Sequence, residues 1–115
     1  MDKISFWEFE RVMSCDIREK RDPCIEICFS VENSISYRDC WMGKMIDRDT
    51  GKSIYWFGLV PDGSQAHEFT TFEEFVSTCV FHGNESLKEL WHRILILSLN
   101  GGTVEETLPY YLNLS

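Results

Sequence analysis

From Cys24 to Val31 apolar and polar positions alternate, with Ile25, Ile27, Phe29 and Val31 on one side and Cys24, Glu26, Cys28 and Ser30 on the other. A period of two is the pattern of a strand that buries one face. A polar connection through Asn33, Ser34 and Ser36 leads to a second strand near 39–46, and Asp47-Arg48-Asp49-Thr50-Gly51-Lys52 reads as a hairpin loop. Gly51 supplies the left-handed backbone such loops need. A third strand follows over 53–59, closed by the turn residues Pro61-Asp62-Gly63. If Asp47 pairs with Lys52, the register sets Trp41 opposite Gly58 and Trp56 opposite Gly43.

Helical periodicity takes over elsewhere. Ser5 with Glu8, Thr71 with Glu74 and Ser86 with Glu89 are capping boxes, in which a hydroxyl and a carboxylate satisfy the first free N–H groups. They open helices near 5–15, 72–80 and 87–93. Ile4 and Phe9 form a staple at the first, and Phe6, Phe9 and Met13 a stripe to bury; the charged run 16–22 ends it. Phe72, Phe75, Val76 and Cys79, then Leu87, Leu90 and Trp91, are the stripes of the other two. Ile94 to Leu99 is almost wholly apolar, which predicts a central strand buried on both faces. Thr103 to Glu106 starts one more helical turn, and Pro109 is expected to stop it. The fold class is therefore α+β: an antiparallel sheet of four or five strands (24–31, 39–46, 53–59 and 94–99, with 66–69 as an optional short strand) and about three short helices packed on it. Residues 1–115 form a single domain.

Composition supports a packed core, with 43% hydrophobic and 14% aromatic residues among 115. Charge narrows the partners. The net charge of -8 argues against a phosphate-backbone binder, so nucleic acid is not expected. No apolar run is long enough to span a bilayer and the N-terminus lacks the form of a signal peptide, which predicts a cytoplasmic protein without membrane contact. Five cysteines, odd in number and irregular in spacing, are expected to be free thiols, mostly buried. Acidity concentrates in the second half, inviting comparison with inhibitors that present carboxylates to a basic partner. Glu73, Glu74, Glu89, Glu105 and Glu106, however, fall in first helical turns, where they complement the helix dipole.

Familiar catalytic patterns fail on inspection. Gly51-Lys52-Ser53 lacks the earlier glycine and the following helix of a phosphate-binding loop. Cys24 and Cys28, four residues apart on a strand, do not have zinc-knuckle spacing, and Asp47 with Asp49 reads as a solvated turn. No cofactor or metal is implied. The hairpin is the most informative feature. Its Trp-over-Gly pairs can simply pin the register of the sheet, or they can line a binding surface. One face carries Trp41, Met45, Ile54 and Trp56, the other Met42, Ile46, Tyr55, Phe57 and Leu59, and three short helices cover only one. The candidate binding residues are Trp41, Trp56, Tyr55 and Phe57, for a protein partner or a second copy of the chain. The alternative is a small cysteine- or carboxylate-dependent enzyme, prompted by five cysteines and three histidines.

Tyr37-Arg38-Asp39-Cys40-Trp41-Met42-Gly43-Lys44, the Thr50-Gly51-Lys52 turn, Tyr55 to Leu59 with Asp62-Gly63, and Ser86 to Trp91 together resemble a family of short uncharacterised bacterial proteins. The resemblance spans roughly 37–112. It implies a bacterial origin and a self-contained domain, and it brings no activity or catalytic residue with it.

Overall fold

A computed structural model describes residues 3–15, 24–59 and 65–114. The elements run α1 (Phe6–Met13), β1 (Cys24–Val31), β2 (Cys40–Ile46), β3 (Ser53–Leu59), β4 (Gln65–Phe69), α2 (Phe72–Ser77), α3 (Leu87–Leu90) with a 3-10 turn (Trp91–Arg93), β5 (Ile94–Leu99) and α4 (Val104–Leu114). The charged run 16–22 and the expected turn at 61–63 lie outside the described residues. All four strand pairings are antiparallel, in the order β4-β3-β2-β1-β5. The α+β class and the five-stranded sheet are as expected.

The hairpin has the anticipated register. Asp47 N–H donates to the Lys52 carbonyl at 2.9 Å, Gly51 has φ +71°, and Trp41 faces Gly58 while Trp56 faces Gly43. Gly43 is irreplaceable for a steric reason: a Cβ there would collide with the Ile25 carbonyl oxygen and stand 2.9 Å from Cζ2 of Trp56.

Alternation sorts the sheet into two unlike faces. Ile25, Ile27, Phe29, Met42, Phe57, Leu59, Ile94 and Ile96 are buried, and Phe9, Val12, Phe75, Val76, Leu87, Leu90 and Val104 from the helices join them in one core. Aromatic packing is its main material: Phe57 stacks on Phe75 with centroids 4.4 Å apart, and Phe9 packs on Trp91 at 4.4 Å. Capping works as anticipated at α1 and α3, where both halves of each box form.

Three elements depart from expectation. β5 is an edge strand rather than a central one, because its apolar run has a different origin: Ile94, Ile96 and Leu99 enter the core while Leu95 and Leu97 lie half-buried on the uncovered face. A bulge between Cys28 and Phe29 shifts the register along β5. Second, α2 stops at Ser77. Thr78 is extended, and its hydroxyl bonds back to the Glu74 carbonyl at 2.7 Å, which leaves Cys79 exposed beyond the helix. Third, Pro109 sits inside α4 without ending it. Tertiary bonds hold the later turns: Arg11 Nη2 donates to Leu112 O at 3.0 Å, Cys15 Sγ to Tyr111 O at 3.2 Å, and Asn100 Nδ2 to Tyr111 Oη.

Lys44 interrupts the apolar side of β2. Its side chain is only 5% exposed, and Nζ donates to the carbonyls of Met13 and Cys15, both at 2.8 Å. A buried ammonium is tolerated only where such acceptors replace water, and the C-terminal end of α1 offers both carbonyls and the negative end of the helix dipole. The sheet thus grips α1 by a charge-assisted cap. Lys44→Met, close in shape but without donors, should lower the unfolding free energy by about 2–3 kcal/mol in urea titrations. A loss below about 0.5 kcal/mol would show that these bonds add nothing.

Candidate functional site

Pairing across the strands builds, row by row, the face that no described helix covers. Glu26, Gly43, Trp56 and Glu68 form one row, Cys28, Trp41, Gly58 and Ala66 the next, and Cys24, Met45 and Ile54 a third. Leu95 and Ser30 extend the surface toward the β5 edge. Apart from Gly43, which is buried, these residues are half-buried or exposed, and Trp41 remains 37% exposed. Trp41, Trp56, Met45, Ile54, Leu95 and Leu97 all stand apart from the hydrophobic core and from the residues packed against it. The Trp56 ring reaches over Gly43, whose missing Cβ leaves room for it, and Trp41 stands across from Gly58.

Among the described residues, two clefts bound this face. One, about 360 Å³, is lined by Ser30, Arg38, Asp39, Leu95, Leu97 and the 31–34 turn; the other, about 370 Å³, by Ile54, Glu68, Phe69, Thr70 and Glu74. Asp39 is positioned by its own N–H, which donates to Ser30 Oγ at 3.0 Å, and has φ +51°.

Tyr55 and Phe57 do not belong to this surface. Successive residues of β3 point to opposite sides, so the partners of Trp56 along the strand turn into the core. Phe57 is 1% exposed. Tyr55 is half-buried with its ring 5.7 Å from Phe75 and 5.9 Å from Lys44 Nζ, and burial raises its phenol pKa above the ordinary value. Of the four candidate residues the geometry brings Trp41 and Trp56 together and places the other two beneath the helices. Leu95, Leu97, Glu26 and Glu68 are the additions that sequence reasoning missed. The signal lay in the pairing: once β1 adjoins β2, the polar side of its alternation falls on the same face as the indoles.

The thiols are more varied than expected. Cys15 and Cys40 are buried, Cys24 and Cys28 half-buried and Cys79 exposed, all five unbridged. Cys15 Sγ donates to backbone carbonyls, and Cys79 Sγ lies 3.9 Å from Glu89 Oε1. Neither contact favours a thiolate. Among the described residues no three His, Cys, Asp or Glu side chains gather as a metal site, and no helix is long and apolar enough to cross a membrane. Comparison with protein families, curated proteins and solved structures returns no match.

Cys28, beside Trp41, has its pKa raised, first by burial and then by the negative charge of Asp39. A raised thiol pKa means less thiolate at a given pH, hence slower alkylation. Iodoacetamide at pH 8 should modify Cys28 more slowly than a free cysteine peptide, and Asp39→Asn should speed it. Mass-spectrometric rates showing Cys28 faster than the peptide would instead mark an activated nucleophile.

Proposed function

We propose that this protein is a small non-catalytic binding module that docks a protein partner on its uncovered sheet face, with Trp41 and Trp56 as the anchors. The observation that carries this reading is the contrast between the faces. One is sealed by four helices, while the other keeps two indoles, a methionine, an isoleucine and two leucines outside the core. Large aromatic side chains on a rigid floor supply most of the binding energy in protein interfaces, because they bury wide area while losing little rotamer freedom. A contiguous apolar surface of this kind is also unusual on a protein that works alone. Five unbridged thiols suit a reducing compartment, which supports a cytoplasmic setting as part of this proposal.

Trp41→Ser should abolish most partner capture while leaving the fold intact, because this side chain contributes to no described core contact. Affinity capture from the native host would be run in parallel with wild type and variant, with circular dichroism and thermal melting as controls. A protein retained by wild type and depleted at least about tenfold with the variant supports the docking face. Equal retention by two equally folded proteins would remove the indole face from the interface.

A further inference from the structure

Carboxylates flank the Trp56 row among the described residues. Glu26 and Glu68 stand at the two ends of the Trp56 row, on β1 and β4, and Asp39 lies close enough to Cys28 for its charge to act on that thiol. Both glutamates are exposed, and Glu68 makes no hydrogen bond or ion pair among the described residues. Among the described strand residues the basic ones beside this row lie on the other side: Lys44 and His67, in register with Tyr55 and Phe57, share the covered face, while Lys52 stands at the hairpin end just before β3. Arg38, at the far cleft, already donates Nε to the Ser34 carbonyl at 3.3 Å. Helical carboxylates are engaged differently. Glu8 and Glu89 close capping boxes, Glu73 accepts from Ser77 Oγ, and Glu106 accepts from Thr103 Oγ1.

Resting on the docking-face reading above, we infer that the partner is a basic protein segment, which lays an arginine or lysine on the Trp56 indole with its charge at Glu68 and offers a second cation to Glu26. Neighbouring strands are about 4.8 Å apart, so Glu68 lies within one strand of Trp56 and Glu26 two strands away. A guanidinium can stack on an indole and pair with a carboxylate at its edge in the same pose. The cleft formed by Ile54, Phe69, Thr70, Glu68 and Glu74 beside Trp56 offers apolar wall for the methylene stem and acid for the head group. A second copy of this chain fits poorly, since it would bring two acidic faces of a protein with net charge -8 together.

The test uses the full chain labelled with ¹⁵N and a soluble peptide alternating arginine and leucine. The indole N–H signals of Trp41 and Trp56 should shift on titration, while that of Trp91, which donates to the Ile4 carbonyl at 2.8 Å, should not. The double variant Glu26→Gln, Glu68→Gln should weaken binding at least about tenfold, as should raising salt from about 50 mM to about 500 mM. A counterpart peptide with glutamate in place of arginine should not bind. Three results would overturn the inference. Equal binding of both peptides would leave a docking face without charge selection. Shifts confined to the helical surface would place the cation site elsewhere. A dimer in sedimentation velocity that dissociates on Trp41→Ser would make the occupant a second copy and leave the docking-face reading standing.

Discussion

The close approach at Gly43 is the constraint on which the architecture turns. Three strands converge there: β2 carries the glycine, the Ile25 carbonyl of β1 occupies the space a Cβ would need, and the indole of Trp56 from β3 lies over the gap. A slip of one residue between β2 and β3 would set the indole over Met42 or Lys44 and turn every side chain of the shifted strand to the opposite face. Register and face assignment are therefore one decision, made at a residue without a side chain.

Everything on the helical side follows from that decision. With Phe57 and Met42 turned inward, α2 can stack Phe75 on the sheet, and α1 can bring Phe9 against Trp91. Lys44 arrives on the same side by the same alternation. Its burial is workable because the end of α1 needs donors where the ammonium needs acceptors. On the other side the same register gathers Trp41, Trp56 and the carboxylates of Glu26 and Glu68. The sealed face and the uncovered face are thus two outcomes of one pairing, and the binding surface needs no element of its own.

Local features were legible in the chain because their physics is local. Alternation over Cys24 to Val31, the hydroxyl-carboxylate spacing at Ser5 and Ser86, and Gly51 in the hairpin loop each specify structure within a few residues. The Trp-over-Gly pairs were legible for the same reason, since a short loop transmits register directly to both strands. What could not be read depended on distant partners. An apolar run such as Ile94 to Leu99 looks the same at the centre of a sheet as at an edge, so the run alone does not fix its position. Tyr55 and Phe57 read like the indoles in the sequence because both hairpin faces are apolar, and which one the helices cover is settled by α1 and α2. Lys44 and Pro109 break local rules, and each is supported by contacts with residues far away in sequence.

The central claim is that Trp56 lies on Gly43, on the side of the sheet away from the helices. A nuclear Overhauser spectrum of the full chain tests it most directly. The account predicts strong cross-peaks from the Trp56 ring Hζ2 to the Gly43 Hα protons and none to the ring of Phe75. Cross-peaks to Phe75 in place of Gly43 would put the indole in the core, reverse the two faces and contradict the structure from which the binding surface is drawn.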